Sequence, residues 1–276
     1  MSAQANSPTY TLAVAGLGAI GMAVARAVDQ GAVTGIRLAA VSASDLQRAK
    51  TRVAEFSSPP KVASIEALAQ LADVIVECAP ARVFLNVAKP AIALGRCLMP
   101  LSVGALLEHP ELMDEARETG ARIIVPTGAL IGLDAVRAMA VGTIDSVRLE
   151  TRKPPAGLAG APYLVENHIS VENLEAAKCV FTGSARDAAR GFPANVNVAA
   201  ALALAGVGPD KTEVEIWADP ALDRNVQTVT ISSDSGEATM TMKNIPTDEN
   251  PRTGRVVANS VIATLARLTA PLVAGS

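Results

Sequence analysis

The chain has 276 residues, half of them hydrophobic but only 3% aromatic, so a core for one large or two modest domains must be built from Ala, Val, Leu and Ile. A net charge of −3 without a long charge run offers nothing to nucleic acid, and three scattered cysteines and two histidines exclude a disulfide framework or a zinc knuckle. The polar start "MSAQANSPTY" lacks the order of a secretory signal and no apolar stretch reaches the ~18 residues of a membrane span, so a cytoplasmic globular protein without a metal, a membrane or a nucleic-acid partner is expected.

In chain order, "TLAVAGL" reads as a buried strand and 19–30 as a helix. "IRLAAVSA" is a second strand, followed by a helix over 45–55. Ser64 is expected to cap a helix over "SIEALAQLA", after which "DVIVECAP" is a strand and 82–94 a helix. "CLMPLSV" reads as a strand, Glu108 to Thr119 as a helix and "ARIIVPTG" as a strand. Strands alternating with helices imply βαβ units and a parallel sheet. The pattern then changes. "SVRLETRKP", "AKCVFTGS", "TEVEIWADP", "NVQTVTISS" and "EATMTMKNIP" alternate or are β-branched, and the last two form a hairpin across "SDSGE". Helices at 184–190 and 195–206 interrupt them, and "NPRTGRVVANSVIATLARLTAPL" is a final amphipathic helix. The expected fold is α/β: a Rossmann dinucleotide-binding domain over 1–125, then a mixed α+β domain on a largely antiparallel sheet over 126–250 for substrate and dimerisation. Residues 251–276 are expected to return as a helix to the first domain.

The joint between the first strand and helix carries the chemistry. In "GLGAIG", Gly16, Gly18 and Gly21 fit G-x-G-x-x-G, with Ala19 and Ile20 between the last two. Gly16 permits the tight turn, Gly18 lets a pyrophosphate approach the backbone, and Gly21 lets the helix pack against the strand. The helix N-terminus then faces the phosphate charge. The second strand should end in an acid that holds the ribose hydroxyls, but here it ends "AVSASD". Ser42 and Ser44 stand where the carboxylate should be, and Asp45 comes late, as a helix cap. Without that anion NADP is accepted as well as NAD, and Arg48 or Lys50 is placed to reach a 2′-phosphate. The stretches "ECAPA", "LSVGAL" and "PTGALIGLDA" follow strands of the first domain, so they are expected to line the nicotinamide site, with Cys78 and Ala79 beside the cofactor. Cys78 has no histidine near it in sequence and reads as a packed thiol, not a nucleophile.

Seven blocks in order, "GLGAIG", "SVGAL", "TGALIGLDA", "TRKPP", "GSARDAARGFPANVNVAAALALAG", "ADPALDRN" and "NPRTG", resemble the L-aspartate dehydrogenases over nearly the whole chain. The resemblance implies a homodimer and the NAD(P)-dependent oxidation of L-aspartate to iminosuccinate, a precursor of the pyridine ring of NAD. It also implies cofactor contacts at Ala129 and Asn197. The family's catalytic histidine ends an R-N-x-H step, where this chain reads "RNVQ" and places Gln227. A neutral amide donates and accepts hydrogen bonds but exchanges no proton near neutral pH. Neither histidine is an obvious replacement: His109 precedes a helix and His168 sits on a loop. Lys153, in "TRKPP", is the expected clamp for a dicarboxylate, against the alternative of a solvated surface lysine. Arg252 is a weaker clamp, Asn195 and Asn197 divide a helix cap and a cofactor contact between them, and Trp217 belongs to the core or to a sheet face, against the alternative of a substrate platform. Two other readings stand beside the aspartate one: an enzyme reducing a different imine or carbonyl, and a dinucleotide-binding protein without catalysis.

Overall fold

Apolar residues at Tyr10–Ala15 form β1, which is paired along both edges and whose last four residues have no exposed surface. The structure, a computed structural model, describes residues 10–193, 196–247, 249 and 253–275. The described residues up to Pro126, together with Ala258–Ala274, form one compact unit, and those of Thr127–Val257 with Gly275 form another.

In the first unit β1 leads into α1 (Ala19–Asp29), β2 (Ile36–Ser42), α2 (Leu46–Val53), β3 (Lys61–Val62), α3 (Leu68–Leu71), β4 (Val74–Glu77), α4 (Phe84–Ala93), β5 (Cys97–Pro100), α5 (Val103–Leu107), α6 (Glu111–Thr119) and β6 (Arg122–Ile123). The strands pair in parallel in the order β3-β2-β1-β4-β5-β6. Order reverses between β1 and β4, and in open α/β sheets that is where ligands sit, beyond the carboxyl ends of the strands. Leu12, Val14, Met22, Val24, Val76 and Met99 lie in one apolar cluster with Val261 and Leu265 of α11 (Arg255–Arg267).

Three local expectations need correction here. Ser64 caps no helix: Ser64–Ala67 form a turn, with Ala67 N donating to Ser64 O (3.2 Å), and only the single turn of α3 follows. The chain leaves β3 at Val62 and uses these residues to reverse direction. "CLMPLSV" is not one strand either. Its ladder with β4 ends at Glu77–Pro100, where Leu101 N still donates to Glu77 O (3.0 Å); the Ser102 amide turns to the Glu77 carboxylate, and α5 starts at Val103. The strand expected in "ARIIVPTG" is paired only over Arg122–Ile123.

The second unit contains α7 (Leu133–Met139), β7 (Ile144–Lys153), α8 (Pro162–Glu166), β8 (Lys178–Ser184), α9 (Ala185–Gly191), α10 (Asn197–Ala205), β9 (Thr212–Ala218), β10 (Val226–Ser233) and β11 (Gly236–Lys243). Its sheet runs β11-β10-β7-β9-β8, antiparallel at every pairing except β7 with β9. One face buries Val147, Leu149, Val214, Ile216, Val229 and Ile231. The alanine-rich α10 packs against α7, α9 and β9, where small side chains let backbones approach closely. Tyr163, Phe181 and Phe192 fill the space around α8, β8 and α9, with ring centroids 5.1–5.5 Å apart. The opposite face is charged: Arg148 pairs with Glu215, and Arg152 with Glu150 and Asp219.

Candidate active site

The three glycines between β1 and α1 divide their work in a way that side-chain geometry makes explicit. Gly16 adopts φ +96°, and a Cβ there would lie 2.6 Å from the Cys78 carbonyl oxygen, so the turn passes hard against the end of β4. Gly21 faces inward: its Cβ would sit 1.9 Å from Gly16 O. Gly18, the α1 N-cap, has an ordinary φ of −72° and nothing within 4 Å of a Cβ, so only here does the missing side chain leave open space. No side chain caps α1, and Ala19, Ile20 and Gly21 contribute its first-turn N–H groups. An open cradle at an uncapped helix N-terminus fits the pyrophosphate of a dinucleotide.

At the end of β2, Ser42 is 2% exposed, and its carbonyl accepts from Gly16 N (2.8 Å). Ser44 is exposed, and Asp45 caps α2 by accepting from Arg48 N (2.9 Å). Arg48 and Lys50 are exposed on α2, whereas Arg52, one turn beyond Arg48, is half-buried and donates from Nη1 to Leu17 O, inside the glycine loop.

The ends of β4 and β5 are tied by Glu77, which has no exposed surface. Its carboxylate accepts from Ala79 N (2.9 Å), Leu101 N (3.2 Å), Ser102 N (2.9 Å) and Ser102 Oγ (3.1 Å). Burial raises the Glu77 carboxyl above the ordinary range, and the Ser102, Ala79 and Leu101 donors oppose that rise. One buried side chain therefore holds the backbone of "CAPA" and "LSVG" in place. Burial, with the adjacent Glu77 charge, pushes the Cys78 thiol far above the usual cysteine range, which suits a packed thiol beside Ala79 and not a nucleophile.

In the second unit, Thr151, Lys153 and Gln227 end the buried face of the sheet at 5%, 6% and 3% exposure. Gln227 is directly opposite Thr151 in the β7–β10 ladder, with Lys153 two residues further along the same face. Lys153 is thus not a solvated surface lysine. Asn244, just past β11 and also 3% exposed, donates from Nδ2 to Ala129 O (3.0 Å) and to Gln227 Oε1. The structure so gathers Lys153, Gln227 and the Ala129 backbone, and adds Thr151 and Asn244.

The other expected residues lie elsewhere. Asn197 is the exposed first residue of α10, whose N-cap is Val196, while Asn195 and Arg252 fall outside the described residues. His109 contacts Glu111 Oε1 (2.9 Å) and stacks on Phe84 in the first unit. His168 is exposed at φ +55° in the turn after α8. Trp217 lies on the charged face of its sheet, with the Arg152 guanidinium 4.5 Å above its ring.

Comparison with known proteins fits these two halves. Residues 16–126 match the family model described as the NAD-binding domain of homoserine dehydrogenase, and 134–268 match the C-terminal domain of aspartate dehydrogenase. The L-aspartate dehydrogenase of Bradyrhizobium diazoefficiens is 48% identical over 100% of this chain and 98% of its own. The chain belongs to the aspartate dehydrogenase family. L-Aspartate dehydrogenase 3 of Bordetella bronchiseptica is also 48% identical, over 96% of this chain and 97% of its own. The crystal structure of aspartate dehydrogenase from Thermotoga maritima superposes with a TM-score of 0.74 at 26% identity, covering 96% of this chain and 99% of that one. Scyllo-inositol dehydrogenase of Lactobacillus casei shares the fold at 14% identity and a TM-score of 0.53.

As a member of this family the protein is an NAD(P)-dependent oxidoreductase. Sequence reasoning missed several of its polar anchors. Arg52 had a readable signal, since it is four residues from Arg48 and shares its helix face. Glu77 also had one, as an acid closing the apolar run "DVIV". Asn244 had none, because its importance arises from a long-range meeting with Ala129 and Gln227.

Proposed function

We propose that this protein oxidises L-aspartate to iminosuccinate, which water converts to oxaloacetate and ammonia, and that it runs the reverse reaction when ammonia is supplied. The observation that carries the reading is the buried polar end of the second sheet, where a cation, a hydroxyl and an amide share one face. An ammonium at the end of this face carries the charge that complements a substrate carboxylate. Lys153 clamps one carboxylate of the substrate. Gln227 occupies the position of the family's catalytic histidine and orients the substrate or a water without exchanging a proton. A dinucleotide held at the glycine loop would supply the hydride acceptor for the substrate Cα. With no imidazole at position 227, the substrate ammonium loses its proton to water, so aspartate oxidation climbs with pH as the free amine accumulates.

Gly16, Gly18 and Gly21, with Ala19, Ile20, Cys78 and Ala79, form the dinucleotide side in this reading, and Ala129 and Asn197 contribute further contacts. Arg52, beside the glycine loop, favours NADP over NAD by pairing with its 2′-phosphate. No helix among the described residues is long and apolar enough to cross a membrane, and we place the protein in the cytoplasm as a homodimer. The test is reductive amination: NADPH should be consumed with oxaloacetate only when ammonia is present, and the product should be L-aspartate. Gln227 itself favours a second reading, reduction of a different imine or carbonyl. Turnover confined to such compounds would replace the first reading with the second, and tight NADPH binding without any turnover would remove both.

A further inference from the structure

An amide has two ends of opposite character, and the end that Gln227 turns toward a ligand decides what it can hold. A backbone carbonyl only accepts, so Ala129 O fixes which way round the Asn244 amide sits, with Nδ2 toward it at 3.0 Å. Turning that amide over would set Oδ1 against the Ala129 oxygen. The second proton of Nδ2 goes to Gln227 Oε1, which fixes Gln227 in turn and leaves Nε2 as its outward end. Asn244 Oδ1 is buried with no partner among the described residues, and a Cβ on Gly254 would come within 2.8 Å of it. An unpaired buried acceptor costs ~1–3 kcal/mol. The fold bears that cost while the amide keeps the orientation that its two donated bonds require.

We infer that Asn244 is a positioning residue that locks Gln227 to present an N–H donor, so that the substrate group received there is an acceptor oxygen, of a carboxylate or a carbonyl, and not an ammonium. The inference rests on the proposed function only in naming that oxygen as the substrate's.

Two measurements test it separately. With glutamine side chains labelled by 15N, the Gln227 NH2 signal is assigned by its loss in Gln227→Glu. Its exchange with water should slow about tenfold in Asn244→Asp, where the carboxylate draws Nε2 inward; equal rates in the two proteins would overturn the lock. In kinetics, Gln227→Glu should raise KM for oxaloacetate about tenfold at neutral pH, with kcat changed less than about threefold. KM should then fall again as acid restores a proton to the new carboxyl, because an O–H donates where the carboxylate cannot. A KM equal to that of the wild type and flat with pH would overturn the donor assignment. If the wild type turns over neither aspartate nor oxaloacetate, the proposed function fails, and the exchange comparison still decides the lock.

Discussion

Single residues at the glycine turn make opposing predictions from one motif. Gly18 has ordinary backbone angles and open space, so Gly18→Val should fold normally yet lose NADPH affinity, read by titration calorimetry. An unchanged affinity would show that the dinucleotide does not approach this loop. Gly21→Ala should instead destabilise the first unit by about 3 kcal/mol or more, since its Cβ would meet Gly16 O at 1.9 Å. The turn was legible because strand, glycines and helix agree locally. The surroundings of the loop were not, because Ser42 is buried at the end of its strand, whereas Arg52 reaches back from α2 to Leu17 O. Arg52→Gln should lower kcat/KM for NADPH about tenfold and leave NADH nearly unaffected. Equal losses with both cofactors would assign Arg52 to holding the loop alone. The burial of Lys153 was equally hidden, since lysine is ordinarily exposed and only the β7–β10 register places it beside Gln227.

At the scale of elements, long periodic or β-branched segments were legible and short apolar ones were not. "NVQTVTISS" and "EATMTMKNIP" pair across their turn as their alternation predicts. "LSVGALL" is too short for its period to separate helix from strand, and the chain leaves β5 where the Ser102 amide and hydroxyl both turn to the Glu77 carboxylate. The helix at Pro162–Glu166 was hidden by a proline that reads as a breaker yet suits a first helical turn. The parallel β7–β9 pairing depends on which strands meet across the chain, which no local pattern records. Glu77→Gln should cost about 2–4 kcal/mol, because the amide nitrogen meets backbone donors where the carboxylate accepted from them. The pH dependence has a definite sign. A carboxyl whose folded pKa is raised contributes stability fully below its unfolded value, and that contribution is lost as pH climbs through the folded value. The wild type should therefore lose stability over that rise, and Glu77→Gln should not. Parallel pH curves for the two proteins in thermal melts would contradict the role given to burial.

For the whole molecule, Val261 and Leu265 come from the far end of the sequence yet have no exposed surface in the core built around β1. Leu265→Ala should lower the stability of the first unit by about 2–5 kcal/mol, measured as the unfolding that NADPH opposes. We propose that this chain performs the aspartate dehydrogenase reaction with the Gln227 amide at the position where the resemblance implies a catalytic histidine. The most direct test is kcat/KM for L-aspartate against pH, in the wild type and in Gln227→His. The wild-type profile should follow the substrate amine alone. The variant should be faster and gain a limb at or below the ordinary histidine value of ~6.5, because the Asn244 donor favours the neutral ring. A wild type that already shows such a limb, or a variant with neither a rise nor a new limb, would contradict it.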